Sequence, residues 1–178
     1  NGSFFYPGLD VGYTFYQNNK VFGSISKVHR VPTFTDLYYT SKTEQGNPNL
    51  KPQYSNNLEM NHVIKGQYQF TLGYSLTTDV FQQIFTQDEE TRTTTTYTAN
   101  LDKSQNWNFR AMIPVEIRKW WNTSNMVQVN NARWKSMIGD ALLDVSQTSL
   151  TLRTQHTFNL PAGFRGELMA MYIGPSQY

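Results

Sequence analysis

Residues 68–84 read YQFTLGYSLTTDVFQQI, and this stretch decides the fold. Its even-numbered positions, which begin with Tyr68, Phe70 and Leu72, are mostly apolar or aromatic, and its odd-numbered positions are mostly polar or glycine. An apolar side chain at every second position indicates a β-strand with one apolar face. Strands of globular proteins have about five or six residues, and membrane-crossing strands have about nine to eleven. The stretch is longer than either and therefore predicts a strand of membrane-crossing length.

Similar alternation recurs on both sides of this stretch and predicts about eight strands, antiparallel because each follows its neighbour through a turn. Tight turns are expected near residues 18, 65, 121 and 162, and longer loops at residues 30–56, 86–93 and 135–146. Short turns at one end and long loops at the other are typical of outer-membrane barrels. We therefore expect an all-β fold without helices, an antiparallel transmembrane β-barrel segment.

The composition fits strands with one apolar and one polar face. Mean hydropathy is -0.56 and 15% of the residues are aromatic. No run approaches the roughly 18 apolar residues that a membrane helix needs. A lipid-embedded barrel needs no such run, because only alternate residues of each strand face lipid.

Composition and motifs also limit the chemistry that we expect. The chain has no cysteine, which excludes disulfides and thiolate metal sites, and its net charge of +2 does not favour a nucleic-acid partner. The sequence has no phosphate-binding loop, nucleophile elbow, Ser/His/Asp spacing or zinc signature. We therefore expect no enzyme, no catalytic residue, no cofactor and no metal.

Residues 30–52 form the longest predicted loop, RVPTFTDLYYTSKTEQGNPNLKP. Pro32, Pro48 and Pro52 each remove a backbone donor, and the Gly-Asn-Pro sequence at residues 46–48 is a strong turn signal. A loop of this length within a compact domain is usually functional.

This loop resembles the late barrel of TonB-dependent outer-membrane receptors. The resemblance rests on Arg30-x-Pro32, on Asp36-Leu37-Tyr38, on GNPNLKP at residues 46–52 and on Glu59. The sequence differs at Gln53, where the family usually has Glu. Residues 106–108, 117–121 and 158–164 are similar to a barrel family common in Bacteroidetes.

The resemblance implies a barrel of about 22 strands closed around an N-terminal plug, in the bacterial outer membrane. Such receptors import a scarce ligand (a siderophore, vitamin, peptide or glycan) with energy passed on by the TonB complex. The chain is too short for that, so we expect residues 1–178 to be a portion of a single outer-membrane β-barrel domain, with the plug domain and the final strands absent. The expected partners are the TonB complex, through the missing N-terminal region, the lipid bilayer and a small ligand of unknown identity, with a surface lipoprotein as a further candidate.

Five residues of the loop are candidates for ligand binding or for ordering the loop, and two tryptophans are candidates for an interfacial aromatic girdle. The loop candidates are Arg30, Asp36, Tyr38, Asn47 and Lys51, and the girdle candidates are Trp120 and Trp121. The tryptophans also suit a sugar-stacking platform, but strand-end tryptophans favour the girdle.

Other charged and histidine residues have two interpretations each. His62 and His156 are either a metal-binding pair or barrel-wall residues, and Asp88-Glu89-Glu90 either binds a cation or is a solvated loop tip. The polar row of Arg110, Glu116, Arg118 and Arg153 is expected to face the barrel lumen, with the apolar faces outward, because charges facing lipid cost about 2–4 kcal/mol each.

Two alternatives belong to other functional classes. A soluble β-sandwich that binds carbohydrate explains the aromatic residues, but it needs shorter strands and two packed sheets. A small outer-membrane barrel enzyme needs acidic and histidine residues gathered at one rim.

Overall fold

The computed structural model describes residues 7–15, 18–88, 92–138 and 141–175. Within these residues, eight long strands, one short strand, one helical turn and one 3-10 turn follow one another. In chain order these are β1 (Gly8–Phe15), β2 (Asn19–Arg30), α1 (Phe34–Tyr38), β3 (Glu44–Gln45), β4 (Gln53–Ile64), β5 (Tyr68–Asp88), β6 (Thr93–Arg118), β7 (Trp121–Ile138), β8 (Ala141–Asn159), the 3-10 turn Pro161–Gly163 and β9 (Arg165–Ile173).

The strands form a single open sheet. Its order is β1-β2-β4-β5-β6-β7-β8-β9, and every neighbouring pair on this path is antiparallel. The short strand β3 pairs with β6 in the parallel direction. The predicted all-β meander of about eight strands is confirmed, and the β-sandwich alternative is wrong, because the described residues form one sheet rather than two packed ones.

Cross-strand register separates an apolar face from a polar face. Ile25, Leu58, Tyr74 and Trp107 lie opposite one another on four successive strands. Leu58 and Trp107 are each 50% exposed, and the buried apolar residues of the described chain are only Leu50, Leu101 and Ala111. An apolar surface of this size is unsuited to water but suited to the acyl chains of a bilayer.

Polar residues on the other face are joined by hydrogen bonds across the strands. Asn57 donates to Ser26 over 3.4 Å and accepts from Ser75 over 2.7 Å. Farther along the sheet, Asn108 donates to Asn130, whose own amide donates to a serine of β8. Such polar rows belong on the side of a barrel wall that faces water or protein.

The strands are longer than a membrane requires. β5 has 21 residues and β6 has 26, whereas about nine to eleven tilted residues cross a bilayer. The long-loop ends of these strands therefore extend well beyond the membrane. The predicted loops at residues 86–93 and 135–146 are wrong in large part, because pairing continues to Asp88↔Thr93 and to Ile138↔Ala141. Glu89 and Glu90 of the predicted acidic loop tip lie outside the described residues, as do Gly139 and Asp140 of the predicted 135–146 loop.

Ion pairs join the β7–β8 hairpin beyond the membrane. Arg133 donates two hydrogen bonds to the Asp144 carboxylate, over 2.7 and 2.6 Å, and the Lys135 amine lies 3.2 Å from the same carboxylate. The Arg133 hydrogen bond, opposed by desolvation and assisted by Lys135, lowers the pKa of Asp144 to about 2. These cross-strand charges favour continued pairing where a loop was expected.

The tight turns lie close to where the sequence predicted them. Lys65 and Gly66 connect β4 to β5 with φ values of 53° and 70°, as a type I′ hairpin turn requires. The turn predicted near residue 121 consists of Lys119 and Trp120, and Trp121 already belongs to β7.

The expectation of no helix is wrong at one place. Residues 34–38 form the single turn α1, which Thr33 caps. Among the described residues, no helix is long and apolar enough to cross a membrane.

Candidate functional site

The β2–β4 loop, residues 31–52, is the candidate functional site. It begins with a capping box at α1. The Thr33 backbone N–H donates to Asp36 Oδ2 over 2.9 Å, the Thr33 hydroxyl donates to the same oxygen over 2.7 Å, and the Asp36 N–H donates to the Thr33 hydroxyl over 3.2 Å. Reciprocal bonds of this kind satisfy two backbone or hydroxyl donors at once and fix the first turn of a helix. Asp36 thus orders the start of the loop.

The capping box predicts that the loop loosens in acid. The hydrogen bond from the Thr33 backbone, then the one from its hydroxyl, and then the charge of Arg30, against a desolvation penalty, hold the pKa of Asp36 below its usual 3.8. A lowered pKa in the folded state gives stability that is present above pH 3.8 and is lost as the pH falls through the folded-state value. We expect hydrogen-exchange protection of the α1 amides to fall over that range, by about 1 kcal/mol of local stability. The Asp36→Asn variant should show no such change; equal acid sensitivity in both proteins would contradict the assignment.

Asn47 joins the end of α1 to β6. Its backbone N–H donates to the Asp36 carbonyl over 2.8 Å, and its side-chain Nδ2 donates to the Thr98 carbonyl over 2.9 Å. Its Oδ1 accepts from the Asn49 N–H over 3.0 Å, and this hydrogen bond closes a turn around Pro48. One side chain therefore holds the turn and attaches it to the sheet.

Gly46 packs directly against the end of α1. A Cβ atom added at Gly46 would lie 2.7 Å from the Leu37 carbonyl oxygen and 2.8 Å from the Tyr38 backbone nitrogen. Real Cβ atoms do not come this close to backbone atoms, so this position of the folded loop accommodates only glycine.

Asn100 of β6 holds the far end of the loop. Its Oδ1 accepts from the Lys51 N–H over 2.8 Å, and its Nδ2 donates to the Lys51 carbonyl over 3.0 Å and to the Asp79 carbonyl over 2.8 Å. Asp79 has a φ of 52°, an uncommon conformation within a strand. Gln53 supports the same place, because its Oε1 accepts from the Phe81 N–H over 2.9 Å.

The five loop candidates thus differ in what their side chains contact. Asp36 and Asn47 make loop-ordering hydrogen bonds, while Lys51 does so only through its backbone. The Arg30 guanidinium lies 4.9 Å from the centroid of the Phe81 ring, a cation–π contact with β5. Tyr38 pairs with Phe34 at a centroid distance of 5.2 Å and is 59% exposed, so it is the candidate best placed to contact a ligand. Whether any of the five binds a ligand stays a prediction.

Sequence reasoning missed several of the residues that build this site. Asn100 carried no motif, and its role depends on a partner distant in the chain. Gln53 carried a signal, because the family usually has Glu at this position. Its side-chain oxygen accepts one backbone hydrogen bond, from Phe81, and a neutral amide is enough for that role. Thr33 also carried one, because Thr-x-x-Asp is a capping-box pattern.

A cleft of about 150 Å³ lies between the loop and the extended parts of β5 and β6. Its walls come from Thr35, Asp36, Tyr39, Glu44, Gln45, Gly46, Gln83, Thr96 and Thr98. The walls offer hydroxyl, amide and carboxylate groups, and none of these residues is basic. The cleft therefore suits neutral hydroxyl-rich or cationic groups better than anionic ones.

The two tryptophans that are candidates for the girdle pack with their neighbours at the short-turn end of the sheet. Trp120 and Trp121 stack at 6.0 Å, and both rings contact Phe158. The Trp121 indole N–H donates to His156 Nδ1 over 3.0 Å, while His156 Nε2 lies 3.1 Å from the Thr154 hydroxyl. His156 is thereby engaged at both nitrogens.

The structure does not bring the histidine pair together. His62 is on β4 and His156 is on β8, four strand positions apart and therefore separated by about 19 Å across the sheet. His62 instead lies beside Phe15, at 6.0 Å between ring centroids. Within the described residues, no three His, Asp or Glu side chains are grouped as a metal site.

The predicted polar row needs one correction. Arg110, Glu116 and Arg153 lie on the polar face, but a register shift between Glu116 and Arg118 places Arg118 opposite Trp121. A bulge inserts one extra residue and so moves the next side chain to the other face. Arg118 therefore shares the row of the aromatic cluster at the strand end, where a long basic side chain reaches the membrane interface.

A family model for the "Outer membrane protein beta-barrel family" matches residues 2–178. The chain belongs to that family. Its location is therefore the bacterial outer membrane, as predicted, and the short turns of this family member face the periplasm by the usual rule for such barrels.

Two solved structures resemble this outer-membrane barrel chain, and no curated protein sequence matches it. The siderophore receptor PirA from Pseudomonas aeruginosa has a TM-score of 0.53 at 14% identity, over 93% of this chain and 41% of the receptor. The beta domain of the Bordetella autotransporter Brka has a TM-score of 0.40 at 15% identity, over 93% of this chain and 66% of that one. This chain thus spans less than half the length of the receptor with which it shares a fold.

Proposed function

We propose that this chain is part of the wall of a TonB-dependent outer-membrane receptor that imports a scarce ligand. The observation that carries the proposal is the β2–β4 loop. The resemblance rests on residues 30–52, and these residues form the β2–β4 loop. Asn47 and Asn100 join this loop by hydrogen bonds to the extended strands on the extracellular side. The fold shared with a siderophore receptor supports the same reading.

The proposed activity is transport, without a covalent step catalysed by the barrel. Ligand would bind at the extracellular loops and be released inward when the TonB complex acts through a region outside these residues. A surface lipoprotein is a further possible partner. Among the ligand classes considered, the acidic and hydroxyl-lined cleft favours a glycan, a peptide or a neutral vitamin over an anionic siderophore at this position.

An uptake experiment with the full-length native protein tests the proposal. Cells that produce it would be given labelled representatives of the four ligand classes, with and without a functional TonB complex. We expect one class to accumulate only when TonB is functional. Accumulation that does not depend on TonB would contradict the receptor assignment. Fractionation of the native gene product is the companion measurement, and a protein several times longer than this chain is expected in the outer membrane.

A further inference from the structure

Three basic residues of β6 and β7 lie together on the apolar, lipid-facing side of the sheet. They are Lys103, Arg133 and Lys135, and we call them the basic cluster. Lys103 lies directly opposite Lys135 on the neighbouring strand, and Arg133 is two residues from Lys135 and therefore on the same face. Trp107 and Val129 are on this face as well, because each is an even number of residues from a member of the cluster on its own strand. The cluster therefore continues the lipid-facing surface of the wall.

The depth of the cluster corresponds to the headgroups of the outer leaflet. Trp121 begins β7 at the short-turn end, and Arg133 follows it by 12 residues. About nine to eleven tilted residues cross the hydrocarbon of a bilayer, so Arg133 lies immediately beyond it. Trp107 is opposite Asn131, one row nearer the middle of the bilayer, and is 50% exposed, as expected of an aromatic residue at the outer interface. Charges on a lipid-facing surface are tolerated at this depth and not at the midplane.

The positive charges of the cluster exceed the negative charges around it. Arg133 and Lys135 share one carboxylate, that of Asp144, at 2.6 and 3.2 Å. Lys103 forms no ion pair with any described residue. Like charges that lie directly opposite each other on neighbouring strands, as Lys103 and Lys135 do, are destabilising. Three cations beside one carboxylate therefore suit a further anion.

Charge at this height is confined to the lipid-facing side. The positions of β6, β7 and β8 that adjoin the cluster on the polar face are all uncharged, namely Ser104, Asn106, Ala132, Trp134, Val145 and Gln147. On the lipid-facing side, a fourth basic residue, Lys27 of β2, lies in the same row as Arg133. Cations that needed only water would be equally well placed on the polar face, so this segregation favours an anionic partner outside the barrel.

We propose that the basic cluster binds the phosphate of a lipid headgroup in the outer leaflet. Directly opposed residues of two strands lie about 5 Å apart, so the ammonium groups of Lys103 and Lys135 reach one phosphate together. Clustered basic residues at a membrane surface attract anionic headgroups. The acyl chains of the same lipid contact the apolar residues below the cluster, such as Val129 and Phe109, and a free phosphate lacks these contacts. This inference does not depend on the proposed import function.

Lipid titration of the full-length protein in detergent, followed by native mass spectrometry, tests the proposal. The probes are diphosphorylated lipid A, a phosphorylated glycolipid of bacterial outer leaflets, and the same lipid without its phosphates. We expect the phosphorylated lipid to bind more tightly. The double substitution Lys103→Gln/Lys135→Gln should weaken its binding about thirtyfold, because each lysine near an anionic surface contributes a factor of about five or six.

A charge change in the opposite direction provides a second, independent measurement. Asp144→Asn releases Arg133 and Lys135 from their shared carboxylate, and it should tighten the binding of the phosphorylated lipid about fivefold. A purely structural role of these ion pairs predicts no such gain. This variant also decides the question should the lysine double variant fail to fold, since unchanged or weaker binding would contradict the proposal.

Matched controls separate the cluster from general effects of charge. Arg110→Gln/Arg153→Gln removes two cations from the polar face and should leave lipid binding unchanged. The proposal is overturned if the lysine double variant binds the phosphorylated lipid as tightly as the native protein does. It is equally overturned if the lipid without phosphates binds as tightly, which would mean apolar contact only, or if inorganic phosphate displaces the lipid at an equal concentration, which would mean a site for free anions.

Discussion

Replacing Gly46 by alanine is expected to detach the β2–β4 loop from the sheet. The new methyl group would lie 2.7 Å from the Leu37 carbonyl oxygen and 2.8 Å from the Leu37 carbonyl carbon and the Tyr38 nitrogen. These are backbone atoms of a capped helical turn and do not move aside as a flexible side chain does. We expect a local cost of about 2 kcal/mol or more.

Hydrogen exchange measures this effect directly. The Asn47 amide, bonded to the Asp36 carbonyl, and the Thr96 amide, bonded to the Thr43 carbonyl, both report attachment of the loop. Both should exchange about thirtyfold faster or more in Gly46→Ala, given the expected cost. Gly23→Ala is the matched control, because a Cβ atom at Gly23 meets nothing within 4 Å. Equal protection in the Gly46 and Gly23 variants would show that the close contact is not required.

The Gly46 variant also connects the loop to the proposed function. The wall strands do not depend on the loop, so the variant protein should still reach the outer membrane and keep the mobility of a folded barrel on a gel without heating. Ligand uptake should nevertheless fall, because the cleft loses one of its walls. Normal uptake with a detached loop would place ligand recognition elsewhere in the protein.

The Asn100→Asp substitution is expected to have the second large effect. One carboxylate oxygen still accepts from the Lys51 N–H, but the other replaces a donor that lies 3.0 Å from the Lys51 carbonyl and 2.8 Å from the Asp79 carbonyl. The two hydrogen bonds that Asn100 donates to these carbonyls become contacts between two acceptors, of which the new carboxylate oxygen is charged. Loss of partly buried donors costs about 1–3 kcal/mol, and we expect the upper end of that range.

The control for this prediction is Asn106→Asp on the same strand. Asn106 is exposed, and no side-chain hydrogen bond joins it to another described residue. We expect the exchange of the Lys51 and Phe81 amides to accelerate in Asn100→Asp alone. The Lys51 amide is bonded to Asn100, and the Phe81 amide, bonded to Gln53, lies two residues after Asp79. Acceleration in both variants would point to a general effect of charge on β6.

The sequence by itself determined the class of fold, the strand that crosses the membrane and the place of the long β2–β4 loop. Each of these rests on information within a few consecutive residues. Alternation at every second position in residues 68–84 is a property of one strand. Pro32, Gly46 and Pro48 favour turns and loops through their own backbone geometry, whatever lies elsewhere in the chain. The capping box at Thr33 and Asp36 is equally local, and its pattern was present in the sequence without being read.

Tertiary structure decided the features that depend on distant partners. Asn100 is hydrogen-bonded to Lys51, 49 residues away in the chain, and Asn47 to Thr98, 51 residues away. Neither residue therefore carries a local sequence signal of its role. The bulge before Arg118 moved that side chain to the other face, because a single extra residue inverts a period-two pattern. β7 and β8 likewise extend through a predicted loop, because the partner strand supplies the backbone hydrogen bonds and the ion pairs of Asp144 that the sequence of either strand alone does not show.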